Sequence, residues 1–296
     1  MLIYLLGIFI AAVLLSAALT PAVFMALLQF WPEMPWPFSR VLDRVFLVML
    51  VILLFFFRKK MNLKAVSDSF VWPGRTTALK RIVIGFVLAL STALAASFYL
   101  ESSGELARNQ HGLSAILFKL LQIVPAALLI ALIEEIFFRL LILKALRRKM
   151  FPIVAAICAS VIYTLLHFIA PDKKFVFEIG NYLQGFEYIG VVARNALQAD
   201  LLLPLFGLFL VGMLLAHVVF YQRSLLVCIG LHAGWITALK LTKYAYTIET
   251  TLPDHTLAAR YFLVGQPLVW LSFGLILVIL TLISRTNSFK NPDIKI

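Results

Sequence analysis

The sequence predicts an all-α membrane protein, a polytopic helical bundle with about eight transmembrane helices. Of its 296 residues, 62% are apolar and only 14% are charged, whereas soluble domains carry roughly 25% charged residues. Apolar runs of about 20 residues, long enough to cross a hydrocarbon core of about 30 Å, recur along the whole chain. This repetition excludes a soluble domain with one anchor. Because no internal repeat divides the chain, we expect a single integral membrane domain over residues 1–296.

The predicted spans follow the apolar runs in chain order. The eight runs are Leu2 to Leu19, Val41 to Phe57, Ile82 to Leu100, Ile123 to Leu143, Phe151 to Ala170, Leu201 to Tyr221, Ser224 to Leu241 and Val264 to Ser284. The residues from Ser114 to Gln122 are also apolar apart from Lys119, which predicts an earlier start for the fourth span. Small residues from Ser16 to Ala22 could instead mark signal-peptide cleavage, but no Lys or Arg precedes them, which favours a retained span.

Basic residues predict the orientation of the chain. They cluster after the second and fourth spans, which places those loops in the cytoplasm and, with eight crossings, both termini as well. Membrane orientation and contacts with lipid headgroups therefore explain the formal net charge of +12. We expect no nucleic-acid partner. The longest connection, Pro171 to Asp200, mixes aromatic with charged residues, which predicts an amphipathic segment at the outer interface; a lid over a site is the alternative.

Five ionisable residues of the apolar spans stand out. Glu134, Glu135 and Arg139 lie in the fourth span, His167 lies in the fifth and His232 in the seventh. An ionisable group at the membrane midplane costs on the order of 2.5 to 3.5 kcal/mol on insertion scales, so such residues mark functional sites or paired structural charges. These five are therefore the candidate site residues.

Helical spacing assigns a partner to each carboxylate. Glu135 and Arg139 are four residues apart, share a helix face and can form an ion pair. Glu134 points about 100° away and needs a partner on another helix. His167 and His232 are the natural candidates. A carboxylate beside imidazoles in a dry pocket suits proton transfer from water to a leaving amine.

The order of these motifs resembles the CAAX-protease and bacteriocin-processing family of glutamate-dependent intramembrane proteases. The motifs are Glu-Glu-x-x-x-Arg, an aromatic-x-x-x-His that begins at Tyr163, and the later His232, each on its own span. The resemblance covers about Val124 to Ile236, within a family-like core of about residues 115–245. It implies an eight-helix fold with an intramembrane active site, located in the inner membrane of a prokaryotic cell.

The resemblance also implies roles for the site residues. Glu134 would activate water, with Glu135 and Arg139 as supports, His167 would help to bind the water, and His232 would stabilise the oxyanion. The implied chemistry needs no metal and no cofactor, and the implied partners are membrane lipid and a peptide or protein with a membrane-associated segment. Two positions depart from the usual pattern: Ile236 stands where the family often has Asn, and Tyr163 replaces the more usual Phe.

Three other interpretations remain open from the residues alone. One carboxylate and two imidazoles could bind zinc, as in a metal-dependent membrane protease, although the chain has no His-Glu-x-x-His motif. The Glu135–Arg139 pair could be purely structural and each histidine a helix-to-helix hydrogen-bond donor. The chain could then be non-catalytic, such as a bacteriocin self-immunity factor, a scaffold or a proton-coupled carrier. Prenylated C-terminal peptides, leader peptides and sorting tails are all compatible substrates.

Overall fold

A computed structural model of the chain shows helices throughout the part that it describes. The described residues are 2–61, 64, 68–167, 175–195, 201–249, 261–284 and 292–294. They form two compact units. One unit comprises residues 1–65 and 166–201, and the other comprises residues 66–165 and 202–296. The predicted fold class, a helical membrane bundle, is confirmed.

The first unit consists of three described helices. They are α1 (Leu2–Phe30), α2 (Phe38–Phe57) and α6 (Gln184–Asn195), and α1 packs against both of the others. Phe24 and Phe38 pack edge to face at 5.5 Å between ring centroids, and Tyr188 and Val192 of α6 complete the buried cluster. The predicted amphipathic connection thus contains a helix with one buried face, while its residues 171–174 and 196–200 lie outside the described part.

The second unit contains the helices that carry most of the candidate site. They are α3 (Arg75–Ser102), α4 (Leu113–Arg147), α5 (Pro152–His167), α7 (Leu202–Gln222), α8 (Leu225–Ala245) and α9 (Pro267–Ser284). The boundary between the units falls inside α5, whose last two residues belong to the first unit. Two strands, β1 (Leu106–Arg108) and β2 (Tyr246–Ile248), pair antiparallel next to the ends of α3 and α8, and this short sheet was not predicted.

Helix α8 is the central element of the second unit and packs along α3 and α4. Glycines allow the close approach of α3 and α8. A Cβ added at Gly230 would collide with the carbonyl oxygen of Ile82, and one added at Gly234 would lie 2.5 Å from the carbonyl oxygen of Phe86. Two small residues four positions apart are typical of closely packed membrane helices.

Six of the described helices are long and apolar enough to cross a membrane: α1, α3, α4, α7, α8 and α9. The early start predicted for the fourth span is confirmed, because α4 begins at Leu113. The predicted second and fifth spans correspond to α2, which carries Arg40, Asp43 and Arg44, and to the shorter α5 of 16 residues. The count of eight spans and the orientation of the termini stay predictions.

Candidate active site

The two adjacent glutamates of α4 lie where the helix changes its winding. The α-helical part ends at Glu135, and residues Ile136–Leu143 form a π-helical segment that includes Arg139. The wider π turn is frequent at functional sites because it changes the direction of the side chains that follow. The sequence-based interpretation treated this span as α-helical throughout and did not foresee the change.

Glu135 and Arg139 form the ion pair that their spacing predicts. Arg139 Nε donates to Glu135 Oε2 at 2.9 Å, and neither side chain is exposed. The Arg139 guanidinium also lies over the Tyr163 ring, with 5.5 Å between Cζ and the ring centroid. A fully buried charge pair of this kind costs desolvation on both sides and persists where the groups are well oriented. Both side chains are therefore fixed.

His232 meets both glutamates. Its Nδ1 lies 2.8 Å from Glu135 Oε1, and its Nε2 lies 3.6 Å from Glu134 Oε2. Because an ionised carboxylate only accepts hydrogen bonds, Nδ1 carries a proton and donates a hydrogen bond to Glu135. That contact fixes the ring and the tautomer and turns Nε2 toward Glu134. Helical spacing indicated the Glu134 contact, whereas the Glu135 contact was missed.

The two carboxylates differ in the exposed fraction of their side chains. The Glu135 side chain is fully buried, whereas 30% of the Glu134 side chain is exposed. Glu135 is enclosed between Arg139 and His232, so its two oxygens are occupied by fixed donors. Glu134 is therefore the less enclosed carboxylate of the pair.

Tyr163 brings a third helix to the same histidine. Its hydroxyl lies 3.4 Å from His232 Nε2, and the residue is only 2% exposed. The Tyr163 ring packs edge to face against Phe138 at 4.9 Å between centroids. The sequence placed this hydroxyl on the His167 face of its helix and gave no indication that it would reach His232.

The sequence singles out two further positions. His167 is the half-buried last residue of α5, one helical turn after Tyr163; it belongs to the first unit, and its partnership with Glu134 stays a prediction. Ile236 is half-buried on α8, one turn after His232. An apolar side chain at that position offers no hydrogen bond on the His232 side of the helix.

Comparison with known families identifies the segment that carries this site. Residues 116–238 match the family model described as type II CAAX prenyl endopeptidase Rce1-like. This segment is similar to the Rce1-like family. The match covers less than half of the chain and includes every candidate site residue. No curated protein and no solved structure matches the chain. The resemblance to the CAAX-protease family is thus confirmed, and the Rce1-like match supports an intramembrane endopeptidase in general terms.

Proposed function

We propose that this Rce1-like protein hydrolyses a peptide bond of a membrane-associated substrate with water activated by Glu134. The observation that carries the proposal is the difference between the two adjacent glutamates. Glu135 is buried and holds His232 through a hydrogen bond, whereas Glu134 is partly exposed beside Nε2 of the same ring. One carboxylate thus orients the imidazole and leaves the other available to water. A general base must reach the water from which it takes a proton, and the partial exposure of the Glu134 side chain supports that role.

The proposed reaction uses one water molecule for each bond cleaved. The water oxygen bonds to the peptide carbonyl carbon while Glu134 takes a water proton, and the carbonyl oxygen becomes an oxyanion. When the C–N bond breaks, Glu134 returns the proton to the leaving amine. The products are a carboxylic acid and an amine, and the glutamate is ionised again. His167 is the proposed second partner of the water, on the basis of the family motif and its place one turn after Tyr163.

His232 is the proposed donor to the oxyanion. Because Nδ1–H is committed to Glu135, a neutral ring would present only a lone pair at Nε2. The protonated ring presents an Nε2–H donor. Two carboxylates and one guanidinium surround this imidazole, so an imidazolium makes Glu134, Glu135, Arg139 and His232 together formally neutral. In a site shielded from water, such neutrality offsets part of the cost of burying charge. We therefore assign His232 as a cationic donor.

The proposed substrate class follows the name of the matching family. A CAAX prenyl endopeptidase acts on a C-terminal Cys-aliphatic-aliphatic-X peptide whose cysteine carries a prenyl chain, and the apolar helices of this protein support a substrate that carries such a chain. Leader peptides and C-terminal sorting tails are the alternatives. The inner membrane of a prokaryotic cell is the proposed location.

Cleavage by the reconstituted protein tests the proposal. The probe is a farnesylated peptide that ends in Cys-aliphatic-aliphatic-X and carries a fluorophore and a quencher on opposite sides of the scissile bond. Glu134→Gln keeps the shape of the side chain but removes the base, and we expect kcat to fall by a factor of about 10² to 10⁴. Glu249→Gln, at an exposed glutamate after β2, is the matched control and should retain full activity. Unchanged turnover by Glu134→Gln, or no cleavage by the wild type, contradicts the proposal.

A zinc-dependent protease is the second candidate, and one observation favours it. Zinc-binding histidines commonly donate their other ring N–H to a carboxylate, as His232 does to Glu135. Zinc would then be bound by His232 Nε2 and Glu134, with His167 as the third ligand, and a fourth position would be open for water. Three results would contradict the metal-free mechanism and support the zinc-dependent one: stoichiometric zinc in the purified protein, loss of cleavage on chelation, and recovery of cleavage on zinc addition.

A further inference from the structure

Polar atoms from two other helices lie beside Nε2 of His232. The Tyr163 hydroxyl of α5 lies 3.4 Å from this nitrogen, and Glu134 Oε2 of α4 lies 3.6 Å from it. The carboxylate and the imidazole already have roles in the proposed reaction. The phenol has no role in it, although its hydroxyl can donate a hydrogen bond in its ordinary neutral form.

The packing of Tyr163 fixes the position of its hydroxyl. The ring is buried, with the edge-to-face contact of Phe138 and the guanidinium of Arg139 around it. Because a donor that is held in place before the reaction needs no reorganisation when charge develops, it stabilises an oxyanion more effectively than a mobile group. The burial of Tyr163 therefore suits a catalytic donor.

The distance between Tyr163 and His232 suits the binding of one shared oxygen. Oxyanion donors lie about 2.7 to 3.1 Å from the oxygen that they stabilise. Two donor atoms that are 3.4 Å apart can both lie at such a distance from a single oxygen, which forms the third corner of a nearly equilateral triangle. A carbonyl oxygen at that corner would accept one hydrogen bond from Nε2–H and one from the phenol.

We propose that the Tyr163 hydroxyl is a catalytic group, the second donor to the oxyanion beside His232. The proposal rests on the proposed function, because it requires a tetrahedral oxyanion at this site. It gives the substrate carbonyl two donors even though the position one turn after His232 on α8 is the apolar Ile236. No proton transfer is added to the reaction: the phenol keeps its proton throughout and only donates a hydrogen bond.

Tyr163→Phe tests this role because it removes one oxygen atom and keeps the ring. With the farnesylated fluorogenic peptide, we expect kcat to fall by a factor of about 10² to 10³, the effect of one lost oxyanion donor. KM should stay within about twofold, because the hydrogen bond strengthens mainly as the oxyanion forms. The contacts with Phe138 and Arg139 involve the ring, so the thermal unfolding midpoint should barely change. A role in packing alone would instead lower the midpoint and leave kcat intact.

Ile236→Asn provides a rescue that a purely structural role would not show. Residue 236 lies on the His232 side of α8, so an amide there offers a replacement donor. In the Tyr163→Phe background we expect Ile236→Asn to recover kcat by about tenfold or more, whereas in the wild-type background it should change kcat little, because two donors are already present. An identical effect of Ile236→Asn in both backgrounds overturns the proposal.

The same assay separates this inference from the proposed function. If Glu134→Gln is inactive and Tyr163→Phe cleaves like the wild type, the oxyanion role is wrong and the general base stands. If Glu134→Gln retains full activity, the proposed function is wrong and the inference falls with it. A second measurement does not depend on turnover. In protein labelled with ¹⁵N at histidine, Tyr163→Phe should shift the Nε2 resonance of His232, and an unchanged resonance overturns the proposed contact.

Discussion

The carboxylate of Asp293 holds the start of α8, and its removal should destabilise the second unit. Arg81 of α3 donates to Asp293 Oδ2 at 2.8 Å, and the Ser224 hydroxyl donates to the same oxygen at 2.7 Å. The backbone N–H of Leu225 donates to Oδ1 at 2.6 Å. One carboxylate thus neutralises a guanidinium of another helix and accepts from the first turn of the helix that carries His232.

Burial sets the size of the expected effect. Asp293 is 0% exposed and the Arg81 side chain 1% exposed, so water cannot replace either partner. Removing one member of a buried ion pair costs about 3 to 5 kcal/mol, and losing a helix N-cap costs about 1 kcal/mol. Because the same carboxylate makes both contacts, the two values are not added, and we expect Asp293→Ala to cost about 3 to 5 kcal/mol. Asp293→Asn keeps an acceptor for Leu225 but loses the charge, so most of the loss should remain.

Equilibrium unfolding in mixed detergent micelles measures this loss of unfolding free energy. The helical circular dichroism signal reports the unfolding, and refolding checks that it is reversible. Glu101→Gln is the control, because it breaks the Glu101–Arg108 pair, whose Arg108 side chain is 58% exposed. It should leave the unfolding free energy nearly unchanged. A loss below about 1 kcal/mol for Asp293→Ala, the range of exposed pairs, would refute the assignment of Asp293 as a buried anchor of α8.

Three further substitutions, one of them a control, separate packing from charge within the second unit. Gly230→Ala should lower the unfolding free energy by about 1 to 3 kcal/mol, because the added Cβ collides with the Ile82 carbonyl oxygen. Gly274→Ala is the control, since nothing lies within 4 Å of its added Cβ. It should be neutral or slightly stabilising in the same unfolding measurement. Glu135→Gln should reduce both stability and cleavage, with a cost of about 3 to 5 kcal/mol, because it removes the charge that Arg139 faces; full stability in micelles would contradict a structural role for this carboxylate.

Contacts within one helix could be predicted from the sequence, because helical periodicity fixes them. The four-residue spacing of Glu135 and Arg139 predicts their ion pair, which is confirmed at 2.9 Å. The rotation of about 100° between neighbouring residues of a helix predicts that Glu134 points away from the Glu135–Arg139 pair. The contact of Glu134 with His232 on another helix agrees with this prediction. Composition alone was sufficient to predict helices in a membrane.

Contacts between helices could not be predicted in the same way, because they depend on how closely and at what rotation the helices pack. The hydrogen bond from His232 to Glu135 and the approach of the Tyr163 hydroxyl are both of this kind. The π-helical segment after Glu135 also had no signal, since its residues are as apolar as those of an ordinary membrane helix. The β1–β2 pair joins segments about 140 residues apart in the chain, so no local pattern could indicate it.

The two adjacent glutamates have different roles in the proposed mechanism. Glu135 is fully buried, and its charge is balanced by Arg139 and used to orient His232. Such a carboxylate is too constrained to exchange protons with water at each turnover. The Glu134 side chain points about 100° away from that of Glu135 around the helix axis, and it is partly exposed. In the proposed mechanism, stability and proton transfer belong to separate carboxylates, so substitutions at Glu134 should affect cleavage far more than folding.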